Sequence, residues 1–158
     1  MTELVTLSSA SQAELLALNN AFAAETSFLS EADWARLAGQ ARFAYAVPPA
    51  EGFLLGFDQD ADYHSPNFLW FKARFDRFAY IDRIVIAASA HGRGWGRRLY
   101  ERMFADAGAK GFERVVAEVN AVPPNPTSLT FHERLGFTVI GDQVFDGGKT
   151  VRYFERKL

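Results

Sequence analysis

The sequence contains no cysteine. A chain without cysteine has neither a disulfide framework nor a thiol nucleophile. Neither sign of charge is in large excess, because the formal net charge is only −2. General nucleic-acid binders carry a strong basic excess, and we therefore expect no nucleic-acid partner.

Long apolar runs are absent as well. No stretch approaches the roughly 18 residues that a membrane-spanning helix needs, and the first ten residues, MTELVTLSSA, lack the basic and apolar regions of a signal peptide. The histidines and carboxylates show no metal-ligand spacing. We expect no membrane partner, no metal and a cytoplasmic location.

The residues that are present predict a folded protein. Hydrophobic residues make up 49% of a 158-residue chain that includes 15 phenylalanines, which is enough to bury a core and too much for a disordered segment. At this length the sequence predicts a single domain over residues 1–158.

The most informative stretch is 80–107, where a strand, a glycine-rich turn and a helix follow one another. Isoleucine and valine dominate residues 81–86, and apolar residues recur at helical spacing over 95–107. The turn between them contains Gly92, Gly94 and Gly96. Glycines let a backbone approach a ligand, and the first N–H groups of a helix attract anions. The surrounding arginines are Arg93, Arg97 and Arg98. The stretch predicts a pyrophosphate cradle.

The spacing of the glycines limits which phosphate-binding motif the turn can be. A Walker A loop is absent. A dinucleotide fingerprint, G-x-G-x-x-G, would need a glycine where Arg97 stands. Only about fifty residues follow the predicted helix, too few for the second half of a dinucleotide-binding sheet. A dinucleotide-dependent oxidoreductase therefore ranks low.

Two motifs resemble one family. The turn HGRGWG resembles the R/Q-x-x-G-x-G/A acyl-CoA loop of the GNAT superfamily of N-acetyltransferases, with His91 at the Arg or Gln position. Downstream, NPTSLTFHERLGF is similar to the N-x-x-A-x-x-x-Y-x-x-x-G-F segment of that family. The resemblance implies an α/β (α+β) fold with a mixed central sheet of about seven strands, helices on both faces and a splay between the two central strands.

The resemblance also implies acetyl-CoA as cosubstrate and assigns residues to it. The assigned residues are Ile84, Val85 and Ile86 for the pantetheine arm, His91, Gly92, Arg93, Gly94, Trp95, Gly96 and Arg97 for the pyrophosphate, and Asn125 near the sulfur. His132 stands where the family has the tyrosine that protonates the departing thiolate. His132 either donates that proton or only packs against its neighbours, and in the second case water donates the proton.

Periodicity and turn residues predict the order β-α-α-β-β-insertion-β-α-β-α-β-β. The insertion, residues 59–79, carries aromatic residues at helical spacing after Ser65-Pro66. It is predicted to form a short helix that either covers the mouth of the site or completes the core. Three prolines follow the fifth strand, and we expect them to separate it from the fourth. Those prolines are Pro123, Pro124 and Pro126.

Acetyl transfer to an amine needs a base. Alternation over residues 114–120 puts Glu118 on the cleft side of its strand, and a carboxylate among apolar residues has a raised pKa. Asp82 is the second candidate, but ordinary pairing with Arg83 explains it better. The residues predicted to contact substrate are Glu25, Tyr63, Tyr80 and Asp82.

Together these features predict an enzyme, an acetyl-CoA-dependent N-acetyltransferase. It would acetylate a primary amine of a small molecule or peptide by direct attack in a ternary complex. The alternative is a non-catalytic acyl-CoA-binding sensor, which the replacement at His132 makes credible. The sequence leaves the acceptor, the acyl chain and the oligomeric state open, with a homodimer among the possibilities.

Overall fold

The computed structural model describes residues 3–158, so the first two residues of the predicted domain lie outside the description. The elements are β1 (Val5–Thr6), α1 (Gln12–Ala21), α2 (Glu31–Gln40), β2 (Phe43–Val47), β3 (Gly52–Asp58), α3 (Pro66–Lys72), β4 (Ala79–Ile86), α4 (Trp95–Ala109), β5 (Arg114–Val122), α5 (Pro126–Arg134), β6 (Thr138–Val144) and β7 (Thr150–Lys157). The predicted order is confirmed. Over residues 3–158 no helix has both the length and the apolar character needed to cross a bilayer.

All seven strands belong to one sheet in the order β1-β2-β3-β4-β5-β7-β6. Strands β4 and β5 are parallel, and every other neighbouring pair is antiparallel. A parallel pair requires a crossover between its strands, which α4 supplies. The predicted mixed sheet is confirmed.

The helices cover both faces of the sheet. The core on one face contains the apolar stripe of α4, including Leu99 and Met103, together with Phe131 of α5. The core on the other face contains Leu15 of α1, Trp34 of α2 and the aromatic side chains of α3. Each helix therefore buries one stripe against the sheet, as an amphipathic helix must.

The insertion forms the predicted short helix, and its aromatic residues belong to the core. Phe68 and Phe71 of α3 have no exposed surface. The hydroxyl-bearing Tyr80 and Tyr153 pack against them from β4 and β7. The aromatic side chains of α3 therefore complete the core, and a cover over the mouth of the site stays a prediction.

The predicted effect of the prolines is wrong. Strand β5 continues to Val122 and is still paired there with Thr150 of β7. Its pairing with β4 ends earlier, at Val116 opposite Tyr80. Because the two strands part well before Pro123, the cause of the separation lies elsewhere, in β4 itself.

Gly141 on β6 provides a test of how tightly α3 is packed. A Cβ atom at this position would lie 2.5 Å from the ring of Trp70, and that ring stacks on Tyr153. We expect Gly141→Ala to lower the free energy of unfolding by about 1–3 kcal/mol, because overpacking forces rigid groups to move. Thermal denaturation would measure the loss.

The matched control is Gly108→Ala on the exposed side of α4, where an added Cβ meets nothing within 4 Å. Alanine favours a helix over glycine by about 1 kcal/mol, so this variant should be as stable as the parent or more stable. A Gly141→Ala protein that melts at the parent temperature would contradict the packing described here.

Candidate active site

The cleft of interest lies where the two central strands part. Beyond the pairs Ala79–Val115 and Tyr80–Val116 no further residues of β4 and β5 are paired. A cavity of about 520 Å³ occupies the gap. The predicted splay is therefore confirmed, and it exposes the backbone edges of both strands to a ligand-sized space.

A β-bulge in β4 explains the splay. Arg83 lies opposite Leu55 and Ile81 lies opposite Gly56, so Asp82 has no partner on β3. After this extra residue the alternation is reversed, because Ile84 contacts the same core as Ile81. A bulge bends a strand and increases its twist, so β4 turns away from β5 at Asp82.

Glu118 of β5 projects into this cleft. Its Oε1 accepts a hydrogen bond of 2.8 Å from the hydroxyl of Tyr80 and one of 3.4 Å from Asn67 Nδ2. Its Oε2 is buried and has no hydrogen-bond partner among residues 3–158. One oxygen is thus held by the protein, and the other is left without a partner in the wall of the cavity.

The surroundings of Glu118 favour its protonated form near neutrality. Burial raises the pKa of Glu118 to about 8, against a partial lowering by the Tyr80 hydrogen bond, and the nearby Asp82 carboxylate raises it further. A group with this pKa can accept a proton and return it at physiological pH, which is what general-base catalysis requires.

His132 of α5 lies at the inner end of the cleft with both ring nitrogens engaged. Nδ1 is 2.7 Å from the carbonyl oxygen of Ser128, and Nε2 is 2.8 Å from the hydroxyl of Tyr100. A carbonyl only accepts, so Nδ1 carries the proton and Nε2 accepts from Tyr100. Burial lowers the pKa of His132, which keeps the ring neutral.

The glycine-rich turn presents unpaired donors. Gly92 and Gly94 both have φ of +78°, a conformation that other residues rarely adopt, and an added Cβ on either would meet nothing within 4 Å. In the described part of the chain, the backbone N–H groups of residues 94–97 have no hydrogen-bond partner. Four such donors at a helix N-terminus fit a pyrophosphate.

The side chains of the turn differ in what they offer. Arg93 and Arg97 are both exposed. Arg97 forms an ion pair of 2.6 Å with Glu101, and Arg93 lies at the tip of the turn. Trp95 is buried in the core, so only its backbone N–H belongs to the cradle. His91 donates from Nε2 to the carbonyl oxygen of Ile86 over 2.8 Å, and its predicted phosphate contact stays a prediction.

A second cavity of about 400 Å³ lies beside the first. It is bounded by residues 84–86 at the end of β4 on one side and by the start of α5 on the other. Asn125 and Ser128 line both cavities. The Asn125 side chain also accepts from Ser128 N and so caps α5. This space runs along residues 84–86, and their contact with a pantetheine arm stays a prediction.

The structure brings together three of the four residues predicted to contact substrate. Glu25, Tyr63 and Asp82 line the splay cavity. Tyr80 does not, because it is fully buried behind Glu118. The Asp82 side chain is only 3% exposed and pairs with Arg83 at 2.7 Å, so the ordinary pairing considered for it is the observed one.

Several site residues are absent from the sequence-based prediction. Tyr100 is one of a row of buried residues on α4, and periodicity marks such a residue only as core. Tyr153 and Gln143 lie on the closing hairpin and approach Glu118 only through Asn67. Tyr100 and His132 are 32 positions apart and Tyr153 and Asn67 are 86 apart, and single-sequence patterns do not relate residues at such separations.

Comparison with known proteins agrees with this geometry. The sequence pattern of the acetyltransferase (GNAT) family matches residues 33–137, a span that includes the cradle and Glu118. No curated protein sequence matches the chain significantly.

Several solved structures have a similar fold. The ribosomal-protein-S18-alanine N-acetyltransferase from Escherichia coli superposes with a TM-score of 0.68 at 17% identity, covering 99% of this chain and 94% of that one. Ard1 from Thermoplasma volcanium has a TM-score of 0.74 at 14% identity, with 99% and 97% covered. A chain of the NatC complex bound to Gag peptide and CoA has a TM-score of 0.68 at 15% identity, with 93% and 90% covered.

Proposed function

This chain belongs to the GNAT family of acetyltransferases, a family that uses acetyl-CoA, and we propose that it acetylates a primary amine by direct attack in a ternary complex. The observation that carries the proposal is the unpartnered Oε2 of Glu118 in the splay between β4 and β5. The absence of cysteine supports direct transfer, because no thiol is available to hold the acetyl group.

We propose that acetyl-CoA lies along the two adjoining cavities, with its pyrophosphate on the N–H groups of residues 94–97. Arg93 and Arg97 would add positive charge at the cradle, and residues 84–86 would offer backbone groups to the pantetheine arm. When bound, acetyl-CoA supplies an acetyl group activated as a thioester. The residues of the chain orient it, exclude water and move protons.

Glu118 is the proposed general base. Its Oε2 would accept a proton from the amine nitrogen as that nitrogen bonds to the acetyl carbon. Tyr80 and Asn67 hold the other oxygen, so the carboxylate does not need to reorient when the amine arrives. This preorganisation is what makes a positioned base effective.

His132 is proposed to act differently from the family tyrosine. Its single proton on Nδ1 is engaged with Ser128, and Nε2 accepts from Tyr100. The ring therefore shapes the inner wall beside the sulfur, while water protonates the leaving thiolate as the bond to carbon breaks. Asn125, at the start of α5, is proposed to contact the same region.

The acceptor is proposed to be a primary amine on a small molecule or a peptide. Glu25, Tyr63 and Asp82 line the part of the cleft that an acceptor would enter. The similar E. coli structure is that of an N-acetyltransferase for a ribosomal protein alanine, and the NatC complex holds a peptide. Both classes therefore belong in a screen.

Binding of acetyl-CoA is expected to stabilise the chain. At a concentration one hundred times Kd, a ligand adds about 2.7 kcal/mol to the free energy of unfolding, which raises Tm by roughly 5–10 °C for a domain of this size. Gly94→Glu should abolish the rise, since it introduces negative charge and a side chain at a left-handed position. Thermal shift with acetyl-CoA, NAD and ATP measures this.

Gly147→Glu is the matched control. Gly147 has φ of +84° and no atom within 4 Å of an added Cβ, so it carries the same backbone strain outside the cradle. It should melt lower than the parent and still respond to acetyl-CoA. An equal rise with NAD, or no rise with acetyl-CoA, would refute the assigned cradle.

The sensor remains the second candidate because the hydrogen bonds of His132 leave no nitrogen to donate a proton. Turnover separates the two functions. Release of CoA thiol from acetyl-CoA in the presence of amines and peptides is read with a thiol reagent, to which a chain without cysteine contributes no background. Binding without thiol release across the screen would favour the sensor.

A further inference from the structure

A line of hydrogen bonds extends from Glu118 to three other elements of the fold. Asn67 Nδ2 donates to Glu118 Oε1 over 3.4 Å, and the Tyr153 hydroxyl donates to Asn67 Oδ1 over 2.8 Å. Gln143 Oε1 lies 2.9 Å from the same hydroxyl. The line therefore crosses α3, β7 and β6.

Every donor in this line is directed towards the carboxylate. A carboxylate oxygen only accepts, so Asn67 turns its NH₂ group to Glu118 and presents its oxygen to Tyr153. Tyr153 has one hydroxyl proton, which Asn67 receives. The structure places Gln143 Oε1 2.9 Å from the same hydroxyl. With the hydroxyl proton given to Asn67, exchanging the oxygen and nitrogen of the Gln143 amide would let its NH₂ group donate to Tyr153.

The consequence concerns which oxygen of Glu118 is reactive. Oε1 receives donors from both Tyr80 and Asn67, so a proton gained by the carboxyl group is held on Oε2. We propose that Asn67, held in turn by Tyr153, is a positioning residue that directs Oε2 of Glu118 towards the acceptor amine. The inference rests on the proposed function, because the group it positions is the proposed base.

Helix α3 is rigidly mounted for this role. Phe68 and Phe71, which follow Asn67 on the helix, have no exposed surface. Trp70 stacks on Tyr153 with ring centroids 4.1 Å apart and planes inclined by 19°. The insertion thus places the first turn of α3 beside Glu118 and packs the rest of that helix into the core, which gives the extra segment a use in the site.

Other ionisable groups also face Glu118, and a test must separate them from Asn67. Asp82 and Tyr80 face it from β4, Tyr100 from α4, and Tyr63 and Tyr153 from the insertion and β7. Glu25, Arg83, His132 and Lys149 line the same cavity. Of these groups only Tyr153 is bonded to Asn67, so Tyr153→Phe is tested beside the Asn67 substitution to separate the two contributions.

The test follows the titration of Glu118 in the full chain. Carboxyl resonances of protein labelled with ¹³C-glutamate are followed by NMR from pH 5 to 10, and Glu118→Gln identifies the resonance. Asn67→Leu removes the donor while keeping water out. It should raise the pKa of Glu118 by roughly half a unit to one unit, because the ionised form loses a hydrogen bond. Tyr153→Phe should raise it by less.

Two matched controls should leave the titration unchanged. Asn120→Leu alters an asparagine that lines the same cavity from β5 and has no hydrogen bond to Glu118 in the described chain. Tyr45→Phe removes a tyrosine hydroxyl bonded to Asp106 elsewhere. An unchanged Glu118 pKa in both Asn67→Leu and Tyr153→Phe overturns the inference.

The rate profile distinguishes this inference from the proposed function. If Glu118 is the base, the acidic limb of kcat/KM moves upward by the same amount as the NMR titration. A shift of the Glu118 pKa in the NMR titration without a shift of the acidic limb of kcat/KM would support the line of hydrogen bonds. The same result would refute Glu118 as the general base. If Asn67 has only a structural role, its substitution lowers the rate at every pH and changes neither the pKa of Glu118 nor the position of the acidic limb. That result also overturns the inference.

Discussion

Glu118→Gln should lower the rate of acetyl transfer by about 10²–10⁴-fold, the usual loss when a positioned general base is removed. Glutamine has the shape of glutamate, and its carbonyl oxygen can accept from Tyr80 and Asn67 as Oε1 does. The NH₂ group then replaces Oε2 in the cleft and cannot accept a proton. The measurement is thiol release from acetyl-CoA with an accepted amine.

The pH dependence of kcat/KM for the parent protein should reflect the pKa of Glu118. Because burial raises that pKa to about 8, only the minority of molecules that are ionised at pH 7 are competent. We expect kcat/KM to rise roughly tenfold between pH 7 and pH 9. The residual rate of Glu118→Gln should lack this acidic limb.

Stability provides the control for folding. The pKa of Glu118 lies near 8 in the folded chain, above its ordinary value of 4.5, so between these values the folded state binds more protons than the unfolded state. Stability therefore falls as pH rises from about 4.5 to 8, and the penalty persists above 8.

Glu118→Gln removes this penalty and should be more stable than the parent above pH 8, by an amount on the order of a few kcal/mol. A variant that is inactive and stabilised cannot owe its inactivity to misfolding. A Glu118→Gln protein that keeps the parent rate would refute the base.

Arg83→Met should produce the largest loss of stability. The guanidinium of Arg83 pairs with Asp82 at 2.7 Å, with side-chain exposures of 6% and 3%. It also donates to Asn19 Oδ1 over 3.0 Å, which joins the bulge of β4 to the end of α1. Removal leaves an unpaired buried carboxylate, and such losses cost about 3–5 kcal/mol. The expected fall in Tm is on the order of 10 °C.

Two comparisons isolate the buried pair. Arg97→Met breaks an ion pair of similar length, 2.6 Å, whose side chains are 60% and 53% exposed. An exposed pair contributes only about 0–1 kcal/mol, so Tm should barely change. The double variant Asp82→Asn/Arg83→Met removes both charges and should recover much of the single loss. A single and a double variant with equal Tm would contradict the coupling.

Local patterns accounted for most of the elements. Ser11 and Ser30 cap α1 and α2, with each side chain accepting from the backbone three residues on. Gly92 and Gly94 of the turn adopt a left-handed conformation, whereas Gly96 lies in the first turn of α4. Alternation along β5 correctly directs Glu118 to the cleft side. These features depend on neighbours a few residues away, which a single sequence contains.

The splay was predicted from the resemblance, but its mechanism was not. The prolines after β5 appeared sufficient, yet β5 stays paired with β7 as far as Val122. The separation instead starts at the bulge around Asp82. A bulge depends on the register between two strands. The sequence of residues 81–86 alone does not show which residue has no pairing partner on β3.

The sequence by itself determined the family and the order of elements, and it predicted the cradle and the carboxylate of Glu118, because each depends on spacing or periodicity along the chain. Tertiary structure decided that Asp82 serves Arg83, that Tyr100 and Ser128 engage both nitrogens of His132, and that Asn67 supports Glu118. The physical reason is that a hydrogen bond depends on atoms about 3 Å apart. Only the packing of distant elements brings such atoms together.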